Sequence, residues 1–184
     1  MNRKKISEFL YGRRVRAGTL AVIAVIVLAL PSWKSLGFGL GIGCLGLLFR
    51  AWAAGHLRKE KELTVSGPYQ YTRNPLYFGS FIIGIGVAVA SRSWWVSGSL
   101  FAYFLVFYPM VIRREKERMN RLFPEQYKSY GKLVPLFVPG LRKQSALKNG
   151  GFRWELYKIN KEYRALIGLG CLWGILALKM LFFR

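Results

Sequence analysis

The chain has 184 residues, 53% hydrophobic and 16% aromatic, with 29 Lys and Arg against eight Glu and no Asp, for a formal net charge of +21. That length suits one domain, 1–184, and the apolar share exceeds the roughly 45–50% of soluble domains. The excess lies in long runs with the basic residues between them, which excludes an ordinary soluble fold. Attraction to anionic lipid headgroups, rather than nucleic acid, is then the use of the charge.

A membrane-spanning helix needs about 20 mostly apolar residues. Five runs qualify or nearly do: roughly Ala17–Pro31, Leu36–Ala54, Pro75–Ser91, Trp94–Ile112 and Leu166–Phe183. The fold class is therefore all-α, a polytopic membrane protein of about five helices with an amphipathic segment at its surface. The first run also has the basic flank and short apolar core of a signal peptide. It is followed only by Ala29-Leu30-Pro31-Ser32, with no clean small-residue cleavage site, so a retained helix is expected. Gly41-Ile42-Gly43-Cys44-Leu45-Gly46 fits the dinucleotide pattern but lies inside an apolar run with no strand before it. Close helix packing through small residues explains it better, and the same reading applies to Gly170 and Gly174, which could also serve a dimer.

Charge placement orients the bundle, because inside loops are rich in Lys and Arg. The N-terminus, the loop after the second run and the segment between the fourth and fifth runs together hold 24 of the 29 basic residues and all eight Glu. The expected topology is an integral protein of a bacterial inner membrane, N-terminus cytoplasmic, with Trp33, Trp94 and Trp95 as interfacial aromatics at the outer ends. Cys44 and Cys171 lie in apolar runs and His56 is the single histidine, so neither a disulfide framework nor a metal site is expected.

The third and fourth runs are joined only by Arg92 and Ser93, which forces an antiparallel hairpin. At 1.5 Å per residue, Pro75 and Glu115 both lie about 25–30 Å from that turn, so Gly67–Tyr77 and Arg113–Glu117 should meet at the cytoplasmic interface. Pro75 suits the first turn of a helix, and the helix start at Asn74-Pro75 offers N–H groups and a favourable field to an anion. Met119, Leu122, Phe123, Tyr127 and Tyr130 recur at near-helical spacing, with Pro124 beginning a second short helix along the membrane surface or folded back as a lid. The plainer alternatives are that Arg73 is an interfacial anchor and Glu115 a solvated charge.

These pieces taken together, Gly67-Pro68-Tyr69, then Arg73-Asn74-Pro75-Leu76-Tyr77, then Glu115, then Phe123-Pro124-Glu125-Gln126-Tyr127, Tyr130 and Val134-Pro135, resemble the isoprenylcysteine carboxyl methyltransferase family and the related phospholipid methyltransferases. The likeness covers roughly residues 35–140, leaving the basic segment and fifth helix, 141–184, outside. Asn74 stands where His is usual, Lys116 replaces a second Glu, and Pro124 replaces a Gly. The resemblance implies S-adenosylmethionine as methyl donor and no metal. It implies cofactor contacts from Lys61, Glu62, Leu63, Thr64, Tyr69, Asn74, Pro75, Leu76, Tyr77 and Glu115. A carboxylate at Glu115 suits the cofactor's ribose and amino group, Arg73 its carboxylate, and the faces of Tyr69 or Tyr77 its sulfonium.

Methyl transfer needs alignment and exclusion of water more than acid–base work. His56, the single histidine, is with Arg73 a candidate catalytic residue; Arg113 and Arg114 are candidates for the substrate. The eukaryotic prenylcysteine enzymes carry an Arg four residues before the Glu, a position held here by Val111, so a membrane lipid fits better as acceptor than a prenylated cysteine. The expected activity is methyl transfer to a lipophilic acceptor at the cytoplasmic interface. The alternatives are a nicotinamide-dependent membrane reductase and a non-catalytic protein that binds anionic lipid. The basic tail Arg142–Arg164 has an apolar component in Trp154, Tyr157 and Ile159 with which to pack over the site.

Overall fold

Each of the five apolar runs forms a helix in the computed structural model, which describes residues 3–59, 61–141 and 150–182, with side chains from residue 12 onward. In chain order the helices are α1 (Arg3–Leu28), α2 (Trp33–Ala54), α3 (Pro75–Ser91), α4 (Trp94–Leu122), α5 (Pro124–Leu133), α6 (Trp154–Ile159) and α7 (Tyr163–Phe182), with a 3₁₀ turn at Gly67–Gln70 before α3. Among the described residues there is no strand. The result is an all-helical polytopic membrane protein. By length and composition α2, α4 and α7 can each cross a membrane, and α3 is a shorter apolar helix. The helix of the first run extends back through the basic N-terminal residues.

Two glycine contacts bring α2 and α3 together. A Cβ on Gly46 would lie 2.7 Å from the Gly79 carbonyl oxygen, and one on Gly39 would lie 2.5 Å from that of Gly86. Only backbones without side chains approach this closely, the packing device expected where lipid and protein interior are equally apolar. Of the glycine-rich motif in α2, Gly43 and Gly46 face neighbouring helices, whereas Gly41 meets open space. Gly170 and Gly174 likewise meet nothing within 4 Å, so they do not pack helices within this chain.

At the end away from the basic segments, Ser93 caps α4 and Arg92 takes the left-handed conformation (φ 50°) that lets α3 turn into α4 in two residues. Ser32 and Ser35 cap the start of α2 reciprocally, and the Ser35 hydroxyl also donates to Ala90 O at 3.0 Å. The Lys179 ammonium donates to Ile26 O and Val27 O at 2.8 and 2.7 Å, satisfying carbonyls that the end of α1 leaves open. The Trp173 indole N–H reaches Leu36 O at 3.0 Å and fastens α7 to α2. Trp33, Trp94 and Trp95 are exposed at this end, as interfacial aromatics should be.

At the opposite end, α5 folds back beneath α4. Tyr127, Tyr130 and Val134 form a small core with Leu63, Val65, Met119 and Phe123. The chain after α5 then runs along the residues just before α3. Arg73 N–H donates to Pro135 O at 2.9 Å, Thr72 Oγ1 to Phe137 O at 2.8 Å, Asn74 Nδ2 to Leu136 O at 2.8 Å, and Gly140 N–H to Tyr71 O at 2.8 Å. This strap holds the segment Tyr71–Asn74 in place.

Candidate active site at the basic end of the bundle

A cavity of about 580 Å³ opens between α2, α3, α4 and α5 at the basic end. The hairpin geometry brings its two halves together as the helix rise predicts: Glu62, Leu63, Thr64, Tyr69, Arg73, Asn74, Pro75, Leu76 and Tyr77 on one side, and Glu115 on the other. Thr64 is buried, and its hydroxyl accepts the Arg58 N–H at 3.1 Å, which closes the loop leading to Tyr69. Lys61 is exposed and lies outside this lining, where Lys59 takes its place.

Asn74 does not cap α3 with its side chain, which is spent on the strap, and its own N–H is taken by Thr72 Oγ1 at 3.2 Å. The Asn74 N–H is therefore not open to an anion, which leaves the field at the start of α3. Tyr69 is 7% exposed, and its carbonyl accepts the Tyr130 hydroxyl at 2.6 Å. Burial, reinforced by Tyr130 and Glu115, pushes its phenol far above the ordinary range, so Tyr69 is a neutral group that can donate a proton in a hydrogen bond but cannot act as a base. The Arg73 guanidinium lies over the Tyr127 ring at 5.6 Å, with Nε buried and without a hydrogen-bond partner. It is thus held in the cavity wall by stacking rather than snorkelling to the interface. Glu115 stands beyond the apolar run that ends at Ile112. Burial raises its carboxyl above the usual range, and Lys59 opposes the shift.

Three predicted residues stand elsewhere. His56 is buried outside the cavity, its Nδ1 2.9 Å from Trp52 O and its ring against Gly67 and Phe152. Gly67 is at φ +59°, and a Cβ there would lie 2.7 Å from the imidazole. Here His56 packs a turn, and it reaches no part of the cavity lining. Arg113 is exposed and pairs with Glu117 at 3.0 Å, while Arg114 lines neither the cavity nor the groove described below. In the tail, Trp154 and Ile159 are exposed; contacts to the bundle come from Phe152 beside Gly55, from the Arg153 N–H to Gly55 O at 2.9 Å, from Asn160, whose amide donates to Ala54 O and Leu57 O at 2.9 and 3.0 Å, and from Glu162 with Arg50. Residues 142–149 of that segment lie outside the described residues.

The structure also adds residues to the lining. Arg50, Tyr103, Phe107, Tyr108, Val111 and Arg118 all face the cavity. An Arg inside an apolar span is a functional signal in its own right, so Arg50 was open to detection from sequence. On the outer face of α4, an apolar groove of about 860 Å³ runs past Phe101, Phe104, Leu105, Pro109 and Ile112 and ends at Arg113 and Lys116. Tyr108 lines both spaces.

Fold and site together define an integral membrane protein with a cavity lined by charged and aromatic residues beside an apolar groove. Residues 14–126 match the phospholipid methyltransferase family, to which the chain belongs. It is 33% identical over 134 residues to the nickel-cobalt-cadmium resistance protein NccN of Alcaligenes xylosoxydans xylosoxydans, covering 65% of this chain and 62% of that protein. Over 163 residues it is 31% identical to the cobalt-zinc-cadmium resistance protein CzcN of Cupriavidus metallidurans, covering 78% and 71%. Over 113 residues it is 31% identical to the protein-S-isoprenylcysteine O-methyltransferase of Schizosaccharomyces pombe, covering 54% of this chain and 48% of that one. The chain thus spans less than two thirds of the length of NccN and about half that of the yeast enzyme. No solved structure shows a significant match to it.

Proposed function

We propose that this protein is an S-adenosylmethionine-dependent methyltransferase acting on a lipophilic acceptor at the cytoplasmic face of the membrane. The observation that carries the reading is the meeting of Glu62–Thr64, Tyr69 and Asn74–Tyr77 with Glu115 around one cavity. Its volume lies within the roughly 300–1,000 Å³ of small-ligand sites. Its chemistry suits each part of the cofactor: Glu115 and Glu62 for hydroxyl and ammonium groups, Arg73 and the field at the start of α3 for a carboxylate, and the rings of Tyr69, Tyr77 and Tyr108 for adenine and sulfonium.

When bound, the cofactor supplies an electrophilic methyl carbon. The residues of the chain orient and enclose it. Tyr69 and Tyr130 close the wall on the α5 side, and the strap keeps Arg73 and Asn74 in register, which serves alignment without an acid–base residue at the centre. The groove on α4 offers an acyl or prenyl chain a path that reaches the cavity at Tyr108, and the apolar Val111 on the cavity wall favours a lipid over a prenylcysteine carboxylate. The metal-resistance names of NccN and CzcN suggest a setting for such a methylation. No cluster of three His, Cys, Asp or Glu side chains capable of holding a metal ion occurs among the described residues.

Calorimetric titration of S-adenosylmethionine into detergent-purified protein tests the reading, with Glu115→Ala and Tyr77→Ala alongside. Micromolar binding by the wild type, lost in both variants, is expected. No binding in the presence of added lipid would overturn it.

A further inference from the structure

The family match ends at residue 126, yet one element of the cavity wall depends on a side chain well beyond it. Glu162, at the entrance to α7, is 7% exposed and grips Arg50 with both oxygens, Nε–Oε1 at 2.5 Å and Nη2–Oε2 at 3.0 Å. Arg50 lies toward the C-terminal end of α2 and spends Nη1 on Leu76 O at 3.1 Å and on the Ser80 hydroxyl. Its stem crosses α3 at Gly79, where a Cβ would lie 2.5 Å from Arg50 Cγ. Arg50 lines the cavity, whereas Glu162 stands behind it.

Basic side chains already outnumber Glu62 and Glu115 around this cavity. A guanidinium at the end of an apolar span is weakly screened, so an unbalanced Arg50 would repel any cation placed in the same space. Its two remaining partners, a backbone carbonyl and a hydroxyl, carry no net charge. Among the described residues, Glu162 alone of its contacts cancels it.

We propose that Glu162 is the counter-ion that lets the cavity accept a sulfonium, neutralising Arg50 from outside the site and so making the C-terminal segment part of the cofactor-binding apparatus. The proposal rests on reading S-adenosylmethionine as the cofactor. It makes Glu162 a positioning residue that acts through Arg50 and never touches the ligand.

The test compares S-adenosylmethionine, a sulfonium, with S-adenosylhomocysteine, its neutral thioether counterpart, by titration into the full-length protein in detergent. Glu162→Gln should weaken the sulfonium by about tenfold while the thioether changes less than about twofold. The double variant Arg50→Gln/Glu162→Gln, which removes both charges, should bring the ratio back to that of wild type. Arg50→Gln alone, leaving a free carboxylate behind the wall, should move the ratio the other way, and it serves if Glu162→Gln does not fold. Equal losses for both ligands in Glu162→Gln would make the pair a mere strut and overturn the proposal, as would an unchanged ratio in Arg50→Gln. Failure of the wild type to bind either ligand would overturn the cofactor reading itself, and this inference with it.

Discussion

The Tyr130 hydroxyl donates to the carbonyl of Tyr69 across 2.6 Å, joining α5 to the 3₁₀ turn in the wall of the cavity. Both groups are buried, so the bond has no competing water. Tyr130→Phe leaves the Tyr69 carbonyl unsatisfied and should cost about 1–3 kcal/mol. Thermal unfolding in detergent measures that loss. Titration of S-adenosylmethionine should show weaker binding in the same variant, because Tyr69 lines the cavity.

Asn74 makes a second such connection, through its amide nitrogen to Leu136 O. Asn74→Asp sets an acceptor against an acceptor in a buried position and should destabilise more than Asn74→Ala, by at least about 1 kcal/mol. Asn74→His retains an N–H donor and should keep most of the stability. The order His, Ala, Asp in midpoint of unfolding is the readout, and Asp unfolding no earlier than Ala would refute the strap bond.

Glu115 ties ligand binding to pH. Burial raises its folded-state pKa, so the carboxyl takes up a proton at higher pH than a free one does. Two consequences of opposite sign follow. Without ligand, this group contributes stability that is present at low pH and is lost as pH rises through the raised pKa. Binding of a cationic ligand needs the carboxylate, so affinity should fall as pH drops through the raised pKa. Glu115→Gln should flatten that dependence. The same pH dependence in Glu115→Gln as in wild type would remove Glu115 from the site.

The glycines of α2 are not equivalent. Gly46→Ala places a methyl group 2.7 Å from Gly79 O and 2.9 Å from Ile83 N, which are backbone atoms that cannot swing aside. It should cost about 1–3 kcal/mol, with α2 and α3 forced apart. Gly41→Ala, facing open space, should be neutral or slightly stabilising, because alanine is the better helix former. Denaturation of the two variants side by side gives the comparison.

By itself the sequence determined what depends on local chemistry: the five apolar runs and their helices, the hairpin at Arg92-Ser93, the helix starting at Pro124, and the depth at which Pro75 and Glu115 stand. Each follows from apolar length, turn residues or the fixed rise of a helix, and these do not depend on neighbours. The rotation of each helix about its own axis was decided only by tertiary structure. A helix apolar on every side has no periodicity that says which face meets protein and which meets lipid. Hence Gly46 and Gly170, alike in sequence, face a helix and open space respectively, and His56 turns to pack Gly67 rather than line the cavity. The same holds for pairs far apart in the chain. Arg50 and Glu162 are separated by four helices, and Asn74 meets Leu136 only because α5 folds back. No local signal carries either pairing, since each exists only once the bundle has closed and left a charge or an amide with one partner in reach.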